Sequence, residues 1–423
     1  MNLLSRSYLL LLILSLVTAC STNPVTGKNE LSLMSPSQEV AIGEQNYKPY
    51  QQQQGGAYVV DPDLNLYVKE VGLKLAKVSN RPELPYDFVV LNSSVPNAWA
   101  LPGGKIAINR GLLVLLEDEA QLAAVLGHEV VHAAARHTAQ QMTRQQLLGV
   151  GVAVAGIAVS NHEYAPLLGV GLMGGAALYQ AHYGRSQELQ SDRYGIQYMA
   201  KAGYEPQAAV ELQQTFVRLS EGKEADFFSA LFASHPPSQE RVAKNRELIK
   251  NMPSGKRHRE RYQAAIAQIK KDEPAYQKHM EALQAASKED FAGAMTTLKQ
   301  AIAIQPEEAL FHITAGQLYF QQKDYASAHS SFAKATRVNP DYFMSSLGLG
   351  LAQKILEKDE EAKQSLKKSL TILPTPIAVY SLGELEEKAG NRSEAIGYYR
   401  QVAGVDGEIG KAATARLNKL GQQ

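Results

Sequence analysis

The sequence predicts two folded parts of different build: a mainly α N-terminal domain containing a small β-sheet, and behind it an all-α solenoid of helical repeats. Three observations predict this. An apolar helical pattern over Leu122–His137 carries His128-Glu129-Val130-Val131-His132, short β-rich segments precede it, and a 34-residue period runs through the C-terminal third. At 423 residues the chain is too long for one ordinary core. Lys plus Arg number 43 against 42 Asp plus Glu, a net charge of +1, so the chain lacks the basic field that nucleic-acid binding needs. Its 45% hydrophobic and 20% charged residues describe a globular chain rather than a disordered one.

Residues 1–20 read as a targeting segment. Arg6 is its positive end and Tyr8–Val17 its apolar stretch, shorter than the roughly 20 residues a membrane span needs. Leu16-Val17-Thr18-Ala19-Cys20 resembles a bacterial lipobox, which makes Cys20 the expected lipidated N-terminus. Cys20 is the only cysteine, so neither an intramolecular disulfide nor a thiolate zinc ligand is available. Ser21 stands where an inner-membrane retention Asp would be expected, which favours the periplasmic face of the outer membrane. Acyl chains on one Cys would anchor the chain without a spanning helix.

Residues 21–34 are polar and turn-rich and read as a tether. Ser35-Pro36-Ser37-Gln38 opens a helix with a capping box, expected to end near Tyr47, and Gln51–Gly56 reads as a loop. Asp61-Pro62 caps a second helix whose Leu64, Tyr67, Val68, Val71 and Leu75 form an apolar stripe. Tyr86–Leu91 is β-rich, and Asn97–Leu101, the turn Pro102-Gly103-Gly104 and Lys105–Asn109 form a strand pair. The strand with Trp99 is either a site of β-addition for an extended peptide or a plain structural hairpin. Glu117, Asp118 and Glu119 place negative charge at the start of the next helix, where the macrodipole favours it.

On that helix, residues four apart lie one above the other, so His128 and His132 aim two imidazoles at one point with Glu129 beside them. Two neutral imidazoles and a carboxylate able to take a proton from water are the parts of a zinc hydrolase. A tetrahedral catalytic zinc takes three protein ligands. Glu188 of Arg185-Ser186-Gln187-Glu188-Leu189-Gln190-Ser191-Asp192 is the natural third, and Asp192, one turn on, is placed to accept the free ring N–H of a ligating His. Between these motifs, Leu147–Val159 and Pro166–Tyr179 are Gly/Ala-rich runs too short to span a membrane, expected to pack as a helical hairpin in the core or as a lid, or else to dip into the membrane surface; His162 and His182 read as surface or packing residues. In Ser234-His235-Pro236-Pro237-Ser238-Gln239-Glu240-Arg241, Ser238 reads as a helix cap. His235 is a turn residue, a donor to a developing oxyanion, or a fourth ligand that closes the metal's open position.

Asn251–Tyr262, with Lys256, Arg257, Arg259 and Arg261, reads as a solvated linker. Beyond it Ala294, Ala328 and Ala362 are spaced by 34, as are Pro306, Pro340 and Pro374. Ala301 and Ala335, Gly316 and Gly350, Tyr319 and Phe332 fill the packing positions of a helix-turn-helix repeat. A fourth unit, with Gly383, Ala395 and Tyr399, is one residue out of register, and Glu408–Leu420 caps the array. The predicted division is 1–20 leader, 21–34 tether, 35–250 metal domain, 251–274 linker and helix, and 275–423 four repeats with a capping helix.

Four segments together resemble metallopeptidase family 48, the zinc endopeptidases that include the CAAX prenyl endopeptidase and its bacterial relatives: Asn97-Ala98-Trp99-Ala100-Leu101-Pro102-Gly103-Gly104, Gly127-His128-Glu129-Val130-Val131-His132, Arg185–Asp192, and His235-Pro236 with Arg241. The resemblance covers roughly residues 30–250, and the repeats match the tetratricopeptide type. It implies one zinc per chain held by His128, His132 and Glu188, with Glu129 as general base. Beside these, Asp192 is expected behind the ligands, His235 and Arg241 are further catalytic candidates, and Trp99, Ala100 and Leu101 are the candidate substrate strand. In members with such repeats the position matching His235 is implicated in covering the zinc and holding the enzyme latent. The implied partners are unfolded or misassembled envelope proteins, the outer-membrane β-barrel assembly machinery through the repeats, and the membrane through Cys20. The competing expectation is an assembly chaperone or scaffold whose zinc site is vestigial or shut. The Cys20 lipobox is more typical of shorter members without repeats, and Gly184 and Ser191 stand where the family often has Ser and Ala.

Overall fold

The computed structural model describes residues 20–147, 183–222 and 227–421. It is 69% helical with two small sheets, the mainly α class the sequence predicts. Among the described residues the chain forms two compact units. The first takes 20–47, 62–147, 183–222 and 227–267, and the second takes 48–61 and 268–421. The two Gly/Ala-rich runs with His162 and His182 lie outside the described residues, apart from Leu147 at the end of a helix; no described helix is long and apolar enough to cross a membrane.

The first unit begins with a hairpin, β1 (Cys20–Thr22) antiparallel to β2 (Asn29–Leu31). This corrects the tether expected over 21–34. Polar turn residues there close a hairpin: Asn23 Oδ1 accepts from the amides of Val25 and Thr26, and Gly27 supplies the positive φ of 71°. Helix α1 (Pro36–Gln53) has its capping box, with Gln38 N donating to Ser35 Oγ and Ser35 N to Gln38 Oε1. It continues past Tyr47 and through Pro49, so the loop expected from Gln51 starts later. Beyond residue 47 the helix belongs to the second unit, where Gln52 bonds the carbonyl of Asp341 and the amide of Phe343, both at 2.9 Å. Helix α2 (Pro62–Lys77) buries the predicted stripe.

Strands β3 (Asp87–Leu91), β4 (Ala98–Leu101) and β5 (Lys105–Asn109) form one sheet in the order β3-β5-β4. All five residues of β5 are buried at its centre, parallel to β3 and antiparallel to β4, so β4 is an outer strand among the described residues. The short helix α3 (Arg110–Leu113) leads to α4 (Glu119–Ala134), which carries the two imidazoles, and Asp118 caps it by accepting from Gln121 N at 3.0 Å. The helix ends sooner than the expected His137, because Arg136 adopts φ 65° and α5 (His137–Leu147) starts in a new direction. Helices α6 (Arg185–Lys201), α7 (Gln207–Glu221), α8 (Ser229–Ser234) and α9 (Gln239–Ile249) follow.

The basic run that leads into α10 (Arg259–Ala265) is more than a solvated linker, because its partly exposed arginines are paired. Arg257 pairs with Asp118 at 3.0 Å and Glu211 at 2.7 Å, Arg259 with Glu117 at 3.0 Å, and Arg261 with Glu119 at 3.1 Å. Three acids concentrated at one helix start attract the three arginines, which fasten the N-terminus of α4.

In the second unit, helices α11 (Ala267–Ser287), α12 (Phe291–Ile304), α13 (Ala309–Gln321), α14 (Tyr325–Val338), α15 (Phe343–Ile355), α16 (Asp359–Ile372), α17 (Pro376–Lys388) and α18 (Arg392–Val402) make four successive pairs, closed by α19 (Glu408–Lys419). The turn inside each pair has a positive φ at Glu289, Lys323, Glu357 and Gly390, so the backbone keeps the 34-residue period and makes its one-residue slip in the last pair. Ala294, Ala301, Ala328, Ala335, Ala362 and Ala395 are fully buried. The Phe332 ring packs against Gly316 and Gly348, where any Cβ would clash with it. Phe332→Ala should therefore lower the stability of the repeat unit by about 3–5 kcal/mol, read as a shift of its urea unfolding midpoint.

Candidate metal centre

The helical period of α4 brings His128 Nε2 and His132 Nε2 to 2.9 Å. Glu188 comes from α6, with Oε1 3.3 Å from His132 Nε2 and Oε2 3.4 Å from His128 Nε2. It reaches them because α4 and α6 touch backbone to backbone: a Cβ on Gly195 would stand 3.0 Å from His128 N, and one on Gly127 3.1 Å from Gly195 O. His235, just past α8, completes the group, its Nδ1 3.2 Å from both His128 Nε2 and Glu188 Oε1. All four residues are buried, with one donor atom from each inside a 4.8 Å cluster. A tetrahedral zinc with N and O ligands at about 2.0–2.1 Å spaces its donors about 3.3 Å apart. The separations among His128, His132 and Glu188 therefore suit a small tetrahedral ion, and His235 Nδ1 lies within reach of the same ion.

A second layer holds these donors. Asp192 Oδ1 lies 3.0 Å from His128 Nδ1, the position expected of a carboxylate that fixes the ring's tautomer. Arg241 forks onto Asp192 at 2.6 and 2.7 Å, reaches Glu188 Oε2 at 2.7 Å and donates to the Pro236 carbonyl at 3.0 Å. Its guanidinium thus faces the carboxylates behind the cluster. Ser238 caps α9 by accepting from Arg241 N, which sets the start of the helix that presents this arginine.

Sequence reasoning missed three members. His137 Nδ1 lies 3.0 Å from His132 Nδ1, the Tyr183 ring stacks on His132 at 3.6 Å, and Thr138 Oγ1 is 3.0 Å from the Tyr183 hydroxyl. His137 follows the break at Arg136, so counting along one helical face does not find it. The adjacent pair Arg136-His137, so close behind the motif, was the available signal. Arg136 itself joins Arg81 on the buried Glu39.

The charges follow from this packing. Burial opposes a charge on His128, but Glu188 and Asp192 outweigh it and hold its pKa up at about 10. Burial keeps His132 well below its usual range and His137 down at about 4. Glu188 is buried too, yet His235, His128 and Arg241 hold its carboxyl well below the usual range, and Arg241 holds Asp192 at about 2 against the same burial. Glu129 goes the other way, since burial raises it. Its Oε1 lies 3.5 Å from His235 Nε2, and its buried Oε2 has no hydrogen-bond partner among the described residues.

On β4 the Trp99 ring is half-buried and meets Tyr47 edge-on at 6.1 Å, while Ala100 and Leu101 are buried. The Ala100 carbonyl accepts from Thr138 Oγ1 at 3.3 Å, which ties the strand to the start of α5. Cys20 stands at the start of β1, paired in register with Leu31.

A helix-borne His-Glu-x-x-His completed by a carboxylate from a following helix is the donor set of a metallopeptidase domain, and residues 62–249 match the model of peptidase family M48. Residues 285–347 match the tetratricopeptide repeat model, so the chain joins an M48 domain to C-terminal repeats. Among curated relatives, the beta-barrel assembly-enhancing protease of Escherichia coli K12 is 28% identical over 242 residues, 55% of this chain and 48% of that protein. The beta-barrel assembly-enhancing protease of Yersinia pestis is 30% identical over 190 residues, 44% of this chain and 39% of that protein. The mitochondrial metalloendopeptidase OMA1 of Schizosaccharomyces pombe is 30% identical over 231 residues, 53% of this chain and 65% of that protein. The chain spans about half the length of the bacterial relatives it matches. Asp192→Asn should weaken zinc binding about 10- to 100-fold, measured by competition with a chromophoric chelator on the folded fraction, and should lower the unfolding midpoint because it strands Arg241.

Proposed function

We propose that the chain is a zinc-dependent endopeptidase of the bacterial cell envelope, anchored through a lipid on Cys20 to the periplasmic face of the outer membrane, that degrades misfolded or stalled outer-membrane proteins. The observation that carries the reading is the buried cluster of His128, His132, Glu188 and His235, its donor atoms within 4.8 Å of one another, with an oxygen of Glu129 beside it that has no partner among the described residues. Zinc held by His128, His132 and Glu188 would polarise the scissile carbonyl and acidify the attacking water. Glu129 takes the water's proton on its free oxygen and hands it to the leaving amine; burial has already raised its affinity for that proton. Asp192 holds His128 in the ligating tautomer, and Arg241 keeps Glu188 and Asp192 ionised, as a positioning residue. Outer strand β4, with Trp99, Ala100 and Leu101, takes the extended substrate main chain. The repeats recruit substrates or the β-barrel assembly machinery. The names of the bacterial relatives and the leader ending at Cys20 support the envelope setting.

His235 bears on regulation. Its Nδ1 is near enough to His128 and Glu188 that it would compete with water for a zinc held there, which would close the site until His235 withdraws. The same observation favours a second reading, in which the repeats act as an assembly scaffold and the metal site stays shut.

Two substitutions test this. Glu129→Gln should retain zinc and lose peptide cleavage by about 100-fold or more, the scale of general-base catalysis, and a fully active variant would sink the mechanism. If that variant rescues a deletion strain completely, the scaffold reading wins. His235→Ala should cleave faster than the wild-type chain; unchanged or abolished cleavage argues against the gate.

A further inference from the structure

The two imidazoles of α4 that face the cluster are backed by different groups. His128 turns Nε2 toward it and has the Asp192 carboxylate behind its Nδ1 at 3.0 Å. His132 turns Nε2 the same way, 3.3 Å from Glu188 Oε1, and behind its Nδ1, also at 3.0 Å, stands the Nδ1 of a further imidazole, His137. A ring that gives its Nε2 lone pair to a metal carries its proton on Nδ1 when neutral. His132 must therefore donate from Nδ1 there, and His137 must accept with the lone pair of its own Nδ1.

Helical geometry alone would not produce this contact. On an unbroken helix, residues five apart point about 140° away from each other around the axis. The chain instead turns at Arg136, whose φ of 65° is a conformation that L side chains rarely adopt. The Arg136 side chain holds that turn: it pairs with the buried Glu39, donates to the Met34 carbonyl and donates to Ser21 Oγ at 2.9 Å. The His137 ring delivered by the turn is fully buried. Among the described residues its one hydrogen bond is to His132, and its Nε2 has no partner. Burying an imidazole is unfavourable unless its polar atoms are used, so the use of this one lies in its bond to His132.

We propose that His137 is the positioning residue of the His132 ligand: it accepts the Nδ1–H of His132 and so fixes the tautomer and tilt of the ring that presents Nε2 to the metal. The proposal rests on the zinc site proposed above. His137 does for His132 what Asp192 does for His128, and the Tyr183 ring, stacked at 3.6 Å, steadies the face of the same imidazole.

The test is the zinc affinity of the full chain carrying His137→Asn or His137→Leu, measured by competition with a chromophoric chelator on the folded fraction, beside the unfolding midpoint of each zinc-free chain. Asn and Leu have nearly the same shape, but only Asn carries an oxygen near the place of Nδ1. His137→Asn should bind zinc within about threefold of the wild-type chain, and His137→Leu about 10- to 100-fold more weakly. His137→Phe, which fills the space of the ring without an acceptor, should behave as His137→Leu. A residue that only packs gives the reverse order, because Leu suits a buried place better than an amide short of partners. The zinc-free midpoints should follow that packing order, with His137→Leu at least as stable as His137→Asn, while the affinities run against it. Equal affinities, or tighter binding by His137→Leu than by His137→Asn, would overturn the proposal and leave the zinc site intact. A wild-type chain that binds no zinc would remove the site and the proposal together.

Discussion

The first unit depends on keeping carboxylates ionised where water does not reach. Glu188 and Asp192 are both buried on one face of α6, and two like charges one turn apart cannot stay ionised there without a counter-charge. Arg241 supplies it from α9, with the geometric match of a planar guanidinium to two carboxylates. Removing one partner of such a buried set costs about 3–5 kcal/mol, since it strands the others. The arginine therefore ties together two helices as well as two charges. With Glu188 held anionic from behind, its other side can face the imidazoles, while burial raises the pKa of the neighbouring Glu129.

The parts of this arrangement that obey a helical period were legible in the sequence. His128 above His132 and Glu188 above Asp192 follow from four-residue spacing alone, and the structure brings the first three together. His235 was different: its residues permitted a turn, a donor or a ligand, and only resemblance to a family chose among them. His137 and Tyr183 could not be read, because one follows a backbone reversal at Arg136 and the other returns from a distant part of the chain. The contact of Gly127 with Gly195 was invisible for the same reason, since it is a relation between two helices. The repeats were legible because alanine, glycine and aromatic positions recur together, and the positive φ angles that close each pair keep the same period.

Where the sequence misled, composition had stood in for geometry. Polarity over 21–34 suggested freedom, but Asn23 and Gly27 are turn formers that close a hairpin. The arginines of 257–261 suggested a solvated segment, yet the acids they meet are the same ones that favour the start of α4. In both cases the residue types were read correctly, and the partner lay too far along the chain to be seen.

That hairpin changes what a group attached at residue 20 can do. Ser21 Oγ is bonded to Arg136 Nη1 at 2.9 Å, and Asn23 Nδ2 to the carbonyl of Ala135, the residue that ends α4. A loose segment over 21–34 would have the reach of a leash about 45 Å long. The folded segment has no slack, so it works as a rigid mount. A group carried at residue 20 would therefore stand at a set distance from the imidazole-bearing helix instead of swinging free of it.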